Sequence, residues 1–384
     1  MARALRRLPA SSLVRRALRT RRTRGALAAG GVAVSVVLVL VISATYRSVE
    51  VAVRAYAGQE GVGLWVAPRG TDNLVRSASL LGEEVREDIA ALPGVRAADP
   101  VLRSFVTAEP LGGAAQRRRP IMLLAIGYRA PDGLGGAPRL ATGRRPAAAR
   151  EIVLDRAAAH RLGVRVGGSV LVNGSELEVV GLSARTNLVS TQLAFLDAGT
   201  AASLSGYGRS ASFVAVGLSP GASAVEVALR IASEFPGVSI HPRAAFTDRN
   251  VEEIFAGFRP VQVLVSAIGF TAAAALIALL VQATLEDRRR EAAVLLALGA
   301  PAGHVALAVV CAALRVVAAG VAVGSAGALV LTAALERWVP TLEMAPDLAD
   351  LARVAILFVA VGLTAALAPV IRLGQLAPVE AFRP

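Results

Sequence analysis

Four stretches of this chain are apolar for as long as a bilayer is thick, and they are unevenly spread. Residues 261–285, 316–335 and 354–371 carry no charged side chain, and neither do residues 26–45 near the start. A helix needs about 20 apolar residues to cross about 30 Å of hydrocarbon, so each stretch is read as a span. Between the first and second lies a long region of ordinary polarity, 46–259. One span, a large domain, then three spans is a layout that excludes most soluble enzymes. It marks a membrane protein.

Charge gives the orientation. The net charge of +13 is concentrated before Ala26, where nine arginines from Arg3 to Arg24 stand with no acid among them. Basic residues beside a first span hold the N-terminus in the cytoplasm. Their attraction to anionic headgroups is a secondary role. Region 46–259 is nearly balanced in charge, so the basic excess is no nucleic-acid footprint, and no nucleic-acid partner is expected. Parity then puts 46–259 outside and the C-terminus inside. The loop 336–353 has more acids than arginines, as suits an outer loop, and Trp338 stands where an aromatic anchors an interface. The first apolar run exceeds the h-region of a signal peptide, about 7–15 residues, so an uncleaved anchor is expected.

The residues also exclude chemistry. All 41 basic residues are arginine. Without lysine there is no phosphate-binding loop of the G-x-x-x-x-G-K-[ST] type and no Schiff-base catalysis. Any ATP consumed is hydrolysed by another polypeptide. Cys311 is the sole cysteine, and His160, His241 and His304 are far apart with no H-E-x-x-H pattern. A G-x-S-x-G elbow is also missing. No catalytic, cofactor-binding or metal-ligating residue is expected, and no cofactor.

Region 46–259 reads as mixed α/β. Residues 62–66, 95–101, 121–126, 213–218 and 238–240 have strand character, and 80–92 and 225–235 have helical spacing. The spacing predicts a helix over 151–162 ending at Gly163. Asn173-Gly174 between 170–172 and 177–182 is a hairpin signal, because a type I′ turn wants positive φ at both central positions. Pro93-Gly94-Val95 and Pro236-Gly237-Val238 each follow a helix and precede a strand, implying two similar α/β units. The Gly/Pro/Arg-rich stretches 112–120 and 131–146 read as loops. A helix capped by Asp248 is expected to run toward the second span, which Pro260 starts or kinks.

Residues 286–301, E-D-R-R-R-E-A-A-V-L-L-A-L-G-A-P, read as a short cytoplasmic helix. Acids open it in keeping with the helix dipole, Gly299 suits a left-handed C-terminal position, and Pro301 prevents continuation. Val294, Leu295 and Leu298 form an apolar stripe, fit either to lie on headgroups or to dock into a cytoplasmic partner.

This run resembles the R-x-x-E-x-x-x-L-x-A-L-G-A signature of FtsX-like ABC transporter permeases, the group that includes MacB and the lipoprotein-release permeases. The ending L-A-P-V-E-A-F-R at 376–383 is similar to that family's P-x-E-A-L-R, with Phe382 in place of leucine. G-V-G-L-W-V-A-P-R-G, L-P-G-V-R-A-A-D-P-V and E-I-V-L-D-R-A-A-A-H-R-L-G-V-R-V-G-G-S-V resemble the MacB-like periplasmic core domain. The long paired N-terminal helices of some relatives are missing.

The resemblance implies an α-helical membrane protein with four transmembrane helices plus an extracytoplasmic mixed α/β domain, in the plasma membrane. The expected order is a basic cytoplasmic N-terminus (1–25), a first helix (26–45), the outer domain (46–259) and an FtsX-like permease domain (260–384). In that last domain, helices fall at about 261–285, 305–335 and 354–371, with a coupling helix at about 287–300. It implies a non-catalytic permease subunit paired with itself or a paralogue and driven by a separate dimeric ABC ATPase. Arg289, Arg290, Glu291, Leu295, Leu298, Gly299 and Ala300 would form the coupling element, with Pro378, Glu380 and Arg383 contributing. ATP-driven motion would pass to the outer domain for export or extraction of an amphiphile or peptide, with or without a periplasmic adaptor. The alternative is an FtsX-like signalling or scaffold protein controlling a cell-wall hydrolase. Gly320, Gly324 and Gly327 allow close helix approach, as a dimer seam or within one chain.

Overall fold

The computed structural model describes residues 10–74, 80–111, 119–188, 191–297, 302–338, 344 and 347–373. In chain order the elements begin α1 (Ala10–Ala57), β1 (Leu64–Pro68), α2 (Glu83–Ala91), β2 (Val95–Pro110), β3 (Ile121–Tyr128), β4 (Leu140–Gly143) and β5 (Glu151–Asp155). They continue with α3 (Arg156–Leu162), β6 (Ser169–Val172), β7 (Ser175–Ser183), β8 (Gln192–Asp197), α4 (Ala198–Ser205) and β9 (Phe213–Leu218). The last are α5 (Ala224–Glu234), β10 (Val238–Pro242), α6 (Arg243–Ala297), α7 (Ala302–Trp338) and α8 (Leu348–Leu373). Two compact units result. One comprises residues 45–259 with 335–345, and the other the remainder.

The second unit is helical. Thr23–Ala57, Arg243–Thr284, Leu307–Trp338 and Leu348–Ala366 are each long and apolar enough to cross a membrane. The helices outrun their apolar stretches: α1 has 48 residues and α6 has 55. At 1.5 Å per residue such helices reach about 70–80 Å, well beyond the hydrocarbon thickness. Pro260 lies inside α6, where its ring removes the hydrogen bond to the carbonyl four residues back.

The other unit is built on one ten-stranded sheet in the order β10-β1-β9-β2-β3-β8-β5-β7-β4, with β6 pairing both β2 and β7. The two Pro-Gly repeats interleave in it. β1-α2-β2 and β9-α5-β10 are each a strand–helix–strand unit, and antiparallel pairing of β1 with β10 and β9, and of β9 with β2, merges them into four adjoining strands. Their helices cover one face, over Leu64, Val66, Ile89, Val216, Val227 and Ile231. Strands β2, β3, β8, β5, β7 and β6 close into a ring, packed with α3 residues Ala158 and Leu162.

Three expectations are corrected. Residues 151–162 are not one helix. Glu151–Asp155 is a strand held between β7 and β8, and Asp155 then caps α3 by accepting from the Ala157 N–H at 2.8 Å. Residues 131–146 include β4, whose extended form comes from its ladder with β7. Asp248 caps nothing, because α6 already begins at Arg243. The hairpin at Asn173-Gly174 has φ of 45° and 82°, as its turn requires.

Candidate functional site

The glycines of the membrane unit make an intrachain seam. A Cβ at Gly320 would stand 2.7 Å from Val32 Cβ and 2.9 Å from the Ala29 carbonyl oxygen. One at Gly324 would stand 2.7 Å from both the Ala33 carbonyl oxygen and Val36 Cβ. At Gly327 the nearest atom, Val37 Cγ2, is 3.4 Å away. So α7 touches the backbone of α1 at two successive turns, and Gly320 and Gly324 serve contact within one chain. On its other side α1 meets α6, where a Cβ at Gly269 would stand 3.2 Å from Val39 Cγ2. Phe270 and Phe358 join α6 to α8, with ring centroids 4.8 Å apart.

The candidate coupling residues are only partly covered by the described structure. Arg289, Arg290, Glu291 and Leu295 lie in the helical backbone of α6, which reaches Ala297 without a separate coupling helix before that point. Positions 291 and 295 are one turn apart along it. Leu298, Gly299, Ala300, Pro378, Glu380 and Arg383 lie outside the described residues.

Inside the outer unit, the end of α1 and the start of α6 are fastened to the sheet and to each other. The Trp65 Nε1–H donates to the Ala57 carbonyl at 2.9 Å, and the Tyr56 hydroxyl donates to the Gly135 carbonyl at 3.0 Å. Phe246 of α6 stacks on Trp65 at 5.2 Å and on His241 at 5.7 Å. The Asn250 carboxamide oxygen accepts from the Leu74 N–H at 2.6 Å. Arg54 pairs with Asp248 and with Glu50, each at 2.9 Å, and Tyr46 stacks on Phe255 at 5.5 Å. Sequence alone did not reveal this clamp, because its partners are up to two hundred positions apart. The tryptophan in a short apolar strand was its only local sign.

Polar groups elsewhere in this unit serve the fold. Asp155 accepts from the Thr186 hydroxyl at 2.7 Å, and that oxygen stands 2.6 Å from the Ser183 hydroxyl. All three residues are buried, and the Asp155 carboxylate caps α3 through one oxygen while the other satisfies the Thr186 hydroxyl. Asp99 Oδ1 stands 2.7 Å from Arg129 Nη2 without hydrogen-bond alignment, and Oδ2 accepts from the Leu134 N–H. Glu151 accepts both arms of Arg144, at 2.6 and 2.7 Å, and the N–H of Ala147. The Arg144 guanidinium, helped by those backbone bonds, holds the Glu151 carboxyl at about 2, well below the usual carboxylate range. Burial pushes the Tyr128 phenol up to about 12. Among the described residues no three His, Cys, Asp or Glu side chains cluster to hold a metal.

Four spans, a seam inside the membrane unit and a clamped sheet outside it define a multi-pass membrane protein with a large α/β domain. Residues 26–234 match the MacB-like periplasmic core domain, and residues 263–378 match the FtsX-like permease C-terminal domain. The chain belongs to the MacB/FtsX-like family of ABC transporter permeases. Permeases of this family work with ABC ATPase partners and generally carry no catalysis themselves. A search of curated protein sequences returned no match. Among solved structures the chain is similar to the periplasmic region of MacB from Actinobacillus actinomycetemcomitans, at 13% identity and a TM-score of 0.38. That match covers 49% of this chain and 94% of the other. It is also similar to the extracellular domain of the noncanonic ABC-type transporter YknZ from Gram-positive bacteria, at 14% identity and a TM-score of 0.35. There the coverage is 47% of this chain and 98% of the other.

Proposed function

We propose that this permease subunit converts the power stroke of a separate ABC ATPase into movement of its own outer domain, to export or extract an amphiphile or peptide. The N- and C-termini and residues 286–301 lie in the cytoplasm of a plasma-membrane protein, and 46–259 lie outside. Two permease subunits act with two ATPase subunits. Arg289, Arg290, Glu291, Leu295, Leu298, Gly299 and Ala300 receive the stroke, with support from Pro378, Glu380 and Arg383.

One observation carries this reading. Helices α1 and α6 are each continuous from an apolar span into the outer unit, where Trp65, Phe246, Tyr56 and Asn250 fasten them to the sheet. A helix held at both ends cannot shift without moving what it is held to, because packed interiors transmit displacement. Replacing Glu291 or Leu298 by alanine, in the full chain reconstituted with its ATPase, should abolish stimulation of ATP hydrolysis by the permease. Membrane insertion and assembly should stay normal. Stimulation equal to that of the unaltered chain would remove this segment from the coupling role.

A further inference from the structure

Helix α5 is apolar on two opposite sides. Val227 and Ile231 are buried against the sheet, while Val225 and Leu229, one turn apart on the other side, are 67% and 66% exposed. Ala232 continues that outward stripe and is exposed as well. A surface helix ordinarily turns polar groups outward, so an apolar outer stripe marks a face that another body covers. Its neighbour supplies the charge. α2 lies beside α5 over the same strands: Ile89 and Leu92 share the core of Val227 and Ile231, and the Arg230 guanidinium donates to the Pro93 carbonyl just past α2. With Ile89 inward, Glu84, Glu87 and Asp88 fall on the outer side of α2, and all three are exposed. Arg86 takes Glu87 and Arg209 takes Glu83, but Glu84 and Asp88 pair with no arginine among the described residues. On α5, Glu226 stands one turn before Arg230 and so on the side facing α2.

Charge selects the occupant. The two helices hold six acids and two arginines, in a region, 46–259, where arginines outnumber acids. Acids in such excess repel anionic headgroups. A second copy meeting the first through this same face about a twofold axis would set acid against acid. A helix with large apolar residues along one side and Lys or Arg beside them satisfies both features. Its ridge packs on Val225 and Leu229, and its cations meet Glu84, Asp88 and Glu226.

We propose that the α2–α5 layer is a docking face for a basic amphipathic helix of a partner protein. This role is independent of the relay proposed above. The test uses the full-length protein in nanodiscs of phosphatidylcholine, with Cys311, the sole cysteine, replaced by serine and an environment-sensitive NBD label at Ala232→Cys. The probe is a synthetic three-heptad helix with leucine on one face and lysine beside it, compared with its twin carrying glutamate for lysine. The lysine peptide should shift the NBD emission to the blue in a saturable way, and the glutamate twin should bind at least fivefold more weakly. Leu229→Ser should weaken the lysine peptide at least fivefold, and so should Glu84→Arg combined with Asp88→Arg. The acid reversal should also flatten the loss of binding caused by added salt, whereas Leu229→Ser should leave that slope unchanged. All these substitutions are at exposed positions, and unchanged Trp65 emission checks that the sheet stays folded. Equal binding of the two peptides, or binding indifferent to both sets of substitutions, would overturn the proposal. So would quenching of the 232 label by spin-labelled lipid before peptide is added, which would give the face to the bilayer. Cross-linking of Leu229→Cys between two copies would overturn it in favour of self-association.

Discussion

At the scale of single residues, the outer unit concentrates its ionic specificity at Glu151. Both carboxylate oxygens are taken by Arg144, and the Ala147 and Ala148 N–H groups converge on one of them. Its folded carboxyl titrates near 2, below the ordinary value of 4.5. A depressed carboxylate adds stability that is present above the unfolded value and is lost as pH falls through the folded one. Glu151→Gln should therefore unfold at lower urea than the unaltered chain at pH 7, with the two converging as pH falls from about 4.5 toward 2. Emission from buried Trp65, followed in detergent micelles, reads that difference. Curves that stay equally far apart at pH 7 and pH 2 would assign Glu151 a packing role in place of an ionic one. Arg144 is largely exposed, so solvent screening keeps the effect modest.

At the scale of elements, the α1–α7 seam separates glycines that look alike in sequence. Gly324→Val must push its new atoms into the Ala33 carbonyl and Val36, whereas at Gly327 a single methyl meets only a side-chain carbon at ordinary distance. Overpacking of this kind costs about 1–3 kcal/mol, and the backbone oxygen leaves no flexible neighbour to yield. Thermal melting of the detergent-solubilised chain should fall clearly for Gly324→Val and hardly move for Gly327→Ala. Equal melting would deny the close approach.

The same contrast explains what could be read in advance. Spans follow from length and apolarity alone, and the α2 and α5 helices, the Pro-Gly stops and the Asn173-Gly174 turn are set by neighbours in sequence. β4 and β5 are not. Leu140–Gly143 has no alternation, and Glu151–Asp155 runs straight into helix-forming Ala157–Ala159, so β4 is extended because β7 lies beside it and β5 because it is held between β7 and β8. Membership of the FtsX-like permeases was legible in the run 286–301. The clamp of Trp65, Tyr56 and Phe246 was not, since nothing local tells an aromatic which distant helix it will hold.

At the scale of the whole molecule, the proposed relay depends on whether the sheet follows the helices. Trp65 is fully buried, donates to the last carbonyl of α1 and stacks on Phe246 at the start of α6, so it ties both through-running helices to β1. Trp65→Ala removes that tie and leaves a large void, at a cost of about 3–5 kcal/mol by analogy with other buried aromatic truncations. The loss should be local. Hydrogen exchange should accelerate across β1, β10 and the 243–250 turns of α6, while α7 and α8, which belong to the other unit, keep their protection. With the ATPase present, the proposed relay predicts that stimulation of hydrolysis persists, because the proposed coupling segment is untouched, while substrate export falls at least tenfold. Exchange that rises equally in α7 and α8 would show a general loss of fold. Export that survives with β1 loosened would mean that the stroke reaches the outer unit by a route other than this aromatic tie.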